Sequence, residues 1–322
     1  MFVTNFGLLQ QRHNYLDVYI MRIVFFGTPA FAAFSLRKLI ENGKNVVAVV
    51  TAPDKPAGRG MRLHQSDVKK AALELGLNIL QPEKLRSEEF VTQMRQLNAD
   101  LGIVIAFRML PEIVWSMPKL GTFNLHASLL PQYRGAAPIN HAIIQGETQT
   151  GVTTFFLKHE IDTGDIVLQQ SVDIDAEDNA GTMHDKLMIE GAEQVLKTVD
   201  MVESGNLQSR PQVLTGHEKP APKIFREFCQ LSADDSVLQN HNKIRGLSPY
   251  PAAWIETAEG PIKIFKAQPV TNLSKPLNEN LSIVENHLIY RCKDGYLELF
   301  TIQPAGKASM SSRDYINGKK NK

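Results

Sequence analysis

Ile23-Val24-Phe25-Phe26-Gly27-Thr28-Pro29 is an apolar run of strand type ending in a glycine turn and a proline, and a helical pattern follows to about residue 41. Proline suits the first helical turn because the N–H it lacks has no intrahelical partner there. Asn42 and Gly43 close this helix, and Val46-Val47-Ala48-Val49-Val50 is a second buried strand. The alternation continues with a helix over 67–75, a short strand over 78–80, a helix capped by Ser87 and running to 97, and a strand over 101–107. That last strand is apolar on both faces. Such strands separated by helices predict an α/β unit, a Rossmann-like parallel sheet covered on both sides, with ligands beyond the carboxyl ends of the strands. The Gly27 turn lacks the Gly-x-Gly-x-x-Gly pattern, which leaves a dinucleotide-dependent enzyme a weak alternative.

Downstream the pattern changes. An amphipathic helix after Thr182 ends near Ser204-Gly205, and a stretch with Pro211, Pro220 and Pro222 shows little periodicity. A helix over 233–243 then precedes short β runs at 253–255, 262–267, 288–292 and 296–302, which predict a small OB-like β-barrel. The expected organisation is an N-terminal extension over 1–20, an α/β unit over 21–208, a linker over 209–230 and a β unit over 231–322. Residues 1–20 carry Arg12, His13, Asn14 and Asp17 where a signal peptide needs an unbroken apolar core, so they read as an extension without catalytic residues.

Composition narrows the class. The chain of 322 residues is 43% hydrophobic and 21% charged, enough apolar material for a sizeable core. Cys229 and Cys292 form no Cys-x-x-Cys pair or His/Cys metal spacing, which points to a reducing compartment and no metal. No apolar run approaches the roughly 20 residues needed to span a bilayer, so no membrane association is expected. From Asn206 onward sixteen Lys and Arg face eleven Asp and Glu, a net of +5, while the preceding part carries −4. A basic back half suits a polyanionic partner, although an imbalance of this size is also ordinary surface variation.

The chemistry-bearing residues lie in the middle of the chain. Asn124 and His126 end an alternating strand over 122–126 and, being two apart, project from the same face. An amide N–H and a protonatable imidazole are what a developing oxyanion on a tetrahedral carbon requires. Taken alone, such a pair is more often structural. Asp162, in Asp162-Thr163-Gly164-Asp165 after a strand over 152–157, could stand beside His126, although this is also a good turn sequence.

Asn124-Leu125-His126-Ala127-Ser128-Leu129-Leu130-Pro131, continuing into Tyr133-Arg134-Gly135, resembles the signature of the folate-dependent formyltransferase family. Similar stretches are Phe26-Gly27-Thr28-Pro29, the loop Pro53-Asp54-Lys55-Pro56-Ala57-Gly58-Arg59-Gly60, and Gln303-Pro304-Ala305-Gly306-Lys307. The resemblance covers the chain from Met21 to about Tyr315. It implies 10-formyltetrahydrofolate as formyl donor without a metal, initiator methionyl-tRNA as acceptor, and a cytoplasmic monomer serving translation initiation. By the same resemblance Asn124, His126 and Asp162 become the catalytic group. Ser128, Leu129, Leu130, Pro131, Arg134 and Gly135 would bind the folate, and Lys55, Arg59 and Arg62 the tRNA acceptor end. In Ala106-Phe107-Arg108-Met109-Leu110-Pro111 the chain is one residue shorter than the family pattern and sets Arg108 at the border of the pterin pocket. Two rival readings are a formyltransferase for a small amine, which needs no basic β unit, and a non-enzymatic RNA-binding protein, which has no use for the three catalytic residues.

Overall fold

Strand β1 (Ile23–Gly27) is buried along its whole length, because its two faces enter two different cores. The computed structural model describes residues 20–57, 62–270, 273, 277 and 279–320, so the expected extension lies, but for Ile20, outside the described residues. From β1 the chain runs through α1 (Ala30–Glu41), β2 (Val46–Val50), β3 (Lys55–Ala57), β4 (Arg62–His64), α2 (Asp67–Glu74), β5 (Ile79–Leu80) and α3 (Glu88–Gln96). It continues through β6 (Leu101–Ile105), α4 (Glu112–Trp115), β7 (Thr122–His126), α5 (Pro138–Ile144), β8 (Gln149–Phe156), β9 (Ile166–Asp173) and α6 (Ala180–Glu203).

Seven of these strands form one sheet in the order β5-β2-β1-β6-β7-β8-β9. The first five run parallel, whereas β8 and β9 join antiparallel, so the expected parallel sheet is mixed at one edge. Ile23 and Phe25 pack with Phe31, Leu36, Leu187 and Val195 on the α1 and α6 side. Val24 and Phe26 pack with Phe90, Met94 and Val114 on the α3 and α4 side. Each of Phe25 and Phe26 is fully buried, a contribution of about 1.5–3 kcal/mol apiece. Strand β6 ends at Ile105, two residues earlier than expected, because Ala106 adopts φ +46 and turns the chain out of the sheet. Strand β9 escaped the sequence reading: Gln169, Gln170 and Ser171 interrupt its apolar pattern, as an edge position allows.

The second unit holds α7 (Val237–Leu247), β10 (Ala253–Ile255), β11 (Ile262–Val270), β12 (Leu281–Val284), β13 (His287–Arg291), β14 (Tyr296–Pro304), β15 (Met310–Ser311) and α8 (Ser312–Lys320). Its strands make an antiparallel sheet in the order β10-β11-β14-β13-β12, with β15 on β14. Helix α7 starts four residues later than expected, because Ser236 caps it and Gln239 reaches back to the Ser236 N–H. The helix lies against α5 so closely that a methyl group on Gly246 would come within 2.5 Å of Ile144. Asn140 donates to the Gly246 carbonyl at 2.7 Å and Arg245 to the Asp178 carbonyl at 2.8 Å, which joins the two units. Among the described residues no helix is long and apolar enough to cross a membrane.

Candidate active site

A cavity of about 1260 Å³ opens beyond the carboxyl ends of β6 and β7, where the parallel sheet predicts a ligand. Val104, Phe107, Leu110, Trp115 and Leu157 give it apolar walls, and Asn124, His126 and Asp162 all reach it. Asn124 and His126 share one face of β7 and line the cavity, while Phe123 and Leu125 on the other face belong to the core shared with α1 and α6. Alternation along the strand therefore places both polar side chains together.

His126 is buried, with Nε2 2.8 Å from the carbonyl oxygen of Tyr133. A carbonyl only accepts, so Nε2 carries a proton. Nδ1 faces the Asp162 carboxylate at 3.8 Å, ion-pair distance but too long for a hydrogen bond. The imidazole is thus oriented by the Tyr133 backbone, with the Asp162 carboxylate beside it. Tyr133 sits at φ +59, donates its N–H to the Lys219 carbonyl at 2.7 Å and its hydroxyl to Glu147 at 2.5 Å. Burial, reinforced by Glu147, pushes the Tyr133 hydroxyl well above its ordinary range.

Asp162 adopts φ +55, and its Oδ2 accepts the Gly135 N–H at 3.0 Å. The turn that carries it presses on β8: a Cβ at Gly164 would lie 1.5 Å from the Phe156 carbonyl oxygen. Gln212 donates to the carbonyls of Asp162 and Gly164 at 2.8 and 2.9 Å. This residue belongs to the stretch read as a linker. Its backbone also meets the site, since Ala221 donates to the Arg134 carbonyl and accepts the Ala137 N–H.

The six residues assigned to folate do not share one role in space. Only Gly135 lines the cavity. Ser128 is buried and donates to the Gln132 carbonyl, Leu129 packs on Gly151 of β8, and Leu130 joins Phe155 and Ile166 in a small core. Pro131 follows a cis peptide bond and Arg134 donates to Gln212. Apolar side chains in this loop gain more from the core than from a wet cavity rim, so the loop supports Tyr133 and Gly135 from behind. The rim comes instead from residues 84–86, 106–112 and 157–162. Arg108 stacks over Phe107 at 5.7 Å and donates to the Pro82 and Glu83 carbonyls, which ties the 106–112 segment to the stretch that leads into 84–86.

Strands β3 and β4 form a hairpin apart from both sheets, pairing Lys55 with His64 and Ala57 with Arg62. Lys55 is exposed and lies away from the cavity walls; Arg59 falls outside the described residues. Asp54 at its base is held by Lys69 and Gln81, whose hydrogen bonds keep its carboxyl below the usual range.

Residues 21–199 match the formyl transferase family, and residues 223–320 match its formyl transferase C-terminal domain. The chain belongs to the formyltransferase family. This formyltransferase is 49% identical to the methionyl-tRNA formyltransferase of Bacteroides fragilis over 308 residues, which span 92% of this chain and 95% of the relative. Its identity to the protein of the same name from Phocaeicola vulgatus is 51% over 309 residues, with the same coverage of both chains. Among solved structures it resembles WlaRD, a sugar 3N-formyl transferase in the presence of dTDP and 5-N-formyl-THF. The TM-score is 0.66 at 19% identity, over 90% of this formyltransferase and all of that chain. It also resembles HypX from Aquifex aeolicus in complex with tetrahydrofolic acid, with TM-score 0.63 at 18% identity. That match spans 92% of this chain and 47% of the longer HypX chain.

Proposed function

We propose that this enzyme transfers the formyl group of 10-formyltetrahydrofolate to the α-amino group of initiator methionyl-tRNA. The observation that carries the substrate assignment is the near-full-length identity of about half to relatives named for that reaction. The cavity supports it, because about 1260 Å³ exceeds the roughly 300–1,000 Å³ of a site for one small ligand and leaves room for two reacting ends. Apolar walls from Val104, Phe107, Leu110 and Trp115 suit a flat heteroaromatic donor.

In this reading Asn124, His126 and Asp162 carry the chemistry. The amine nitrogen attacks the formyl carbon, and the carbonyl oxygen becomes an oxyanion facing the Asn124 amide and Nδ1 of His126. With Nε2–H committed to Tyr133, the imidazole donates to the oxyanion when Nδ1 is also protonated, and Asp162 at 3.8 Å is then its counter-charge. The bond from formyl carbon to folate nitrogen breaks as the new amide forms. The proton lost by the amine is gained by the folate nitrogen, and Asp162 stands where it can relay it. The unit over 21–208 is the catalytic one, and the basic unit over 231–322, joined through 209–230, holds the tRNA body, with Lys55, Arg59 and Arg62 at the acceptor end. Both cysteines are buried free thiols, in keeping with a reducing compartment such as the cytoplasm.

The test is formyl transfer from 10-formyltetrahydrofolate to charged initiator tRNA, beside free small amines and nucleotide sugars. Rapid transfer to tRNA and none to the small amines is expected. Preference for a small amine would move the assignment to that class.

A further inference from the structure

From residue 203 to 220 the connection between the two units is exposed except at Gln212 and Glu218, which are half-buried. Glu218 closes a local turn with Thr215 and Gly216. Gln212 instead spends its whole amide on distant residues. Its Nε2 donates to the carbonyls of Asp162 at 2.8 Å and Gly164 at 2.9 Å, and its Oε1 accepts from Arg134 Nη2 at 2.6 Å and Nε at 3.2 Å. Gly135, next to Arg134, donates its N–H to Asp162 Oδ2 at 3.0 Å. The bonds close a ring: guanidinium of Arg134, amide of Gln212, carbonyl and carboxylate of Asp162, N–H of Gly135. Asp162 lies in this ring at φ +55, a left-handed conformation that is uncommon for residues other than glycine. Neither Gln212 nor Arg134 lines the cavity.

We propose that Gln212 is a positioning residue for formyl transfer, its amide holding the Asp162 turn so that the carboxylate stays opposite Nδ1 of His126. The inference rests on the reading that Asp162 takes part in the reaction. A glutamine that only fastened the connection to the surface would need the Arg134 bond alone; two donor bonds to the carbonyls flanking Thr163 are what fixes a turn.

Single-turnover formyl transfer to methionyl-tRNA at saturating folate and tRNA decides it. Gln212→Ala should slow transfer by about 10–100-fold, the effect of displacing a reacting group by an ångström, while KM for both substrates stays within about twofold. Gln212→Glu keeps the acceptor for Arg134 but sets a carboxylate against two carbonyls, and should be impaired as much as Gln212→Ala. In an Asp162→Asn background Gln212→Ala should add little further loss, since the two act as one unit. Gln212→Met keeps the length and stands in if the alanine variant does not fold. Near-normal transfer by Gln212→Met or Gln212→Glu, or a full further loss beside Asp162→Asn, would overturn the proposal. Normal transfer by Gln212→Ala beside a crippled Asp162→Asn sinks the positioning role alone, whereas normal transfer by Asp162→Asn removes the reading beneath it.

Discussion

Nε2 of His126 lies 2.8 Å from the carbonyl oxygen of Tyr133, which leaves Nδ1 to face both the cavity and Asp162. One nitrogen is spent on orientation and the other is kept for chemistry. His126→Ala and Asn124→Ala should each lower kcat by roughly 100-fold or more, with folate and tRNA binding little changed, because an oxyanion donor acts mainly in the transition state. Steady-state kinetics with separate binding measurements check this. A variant with near-normal kcat would remove that residue from the catalytic group.

Gly164→Ala should cost stability and activity together. No Cβ fits 1.5 Å from the Phe156 carbonyl oxygen, so the turn must leave β8 and carry Asp162 with it. Overpacking of this kind costs about 1–3 kcal/mol, readable as a lower denaturant midpoint, and formyl transfer should fall at temperatures where the variant is still folded.

Tyr133→Phe removes the hydroxyl that Glu147 accepts and leaves Glu147 to Lys219 alone, which reaches it at 2.6 Å. The loss expected is about 1 kcal/mol of stability, and kcat should stay within a few-fold because the backbone carbonyl that holds His126 remains. A large drop in kcat would show that the hydroxyl and its bond to Glu147, not only the backbone, hold the imidazole in place.

Acid should loosen the joint between the two units through Asp178. Burial alone would raise its pKa, but Lys186, the Asp175 N–H and the Thr182 hydroxyl together hold its carboxyl below the ordinary 3.8. A depressed carboxylate pKa contributes stability above the ordinary value and loses it as pH falls through the folded value. Asp178→Asn should therefore cost roughly 1–3 kcal/mol at pH 7, and the gap to the parent should shrink below pH 3.8, in urea unfolding across that range. A gap independent of pH would exclude this carboxylate from the acid limb.

The affinity for tRNA should fall steeply with salt. If Lys55 meets a phosphate, Lys55→Ala flattens the slope of log K against log salt by about 0.7–0.9, and Arg59→Ala should reduce single-turnover transfer more than affinity. Fluorescence titration at several salt concentrations measures the first and quench-flow the second. Point variants serve better than deletion of the β unit from Leu231, which would strip α7 from α5 and uncover Ile144.

The order of strands and helices around β1 is set by short-range pattern. Ile23 to Phe26 must be buried on both faces, and Asn124 and His126 must share one side of β7, whatever the rest of the chain does. The resemblance added Asp162 to that pair. Other relationships left no mark in sequence. The Tyr133 carbonyl meets His126 seven positions away, and Gln212 meets Asp162 fifty positions away, through side-chain hydrogen bonds to the backbone of irregular segments. Such bonds have no period and no propensity, since they exist only once β8, β9 and the inter-unit connection are packed together. The same holds for the inward turn of Ser128 and Leu130 and for the rim tied by Arg108. Local chemistry determined which residues could meet the substrate, and tertiary packing decided which of them are held in place to do so.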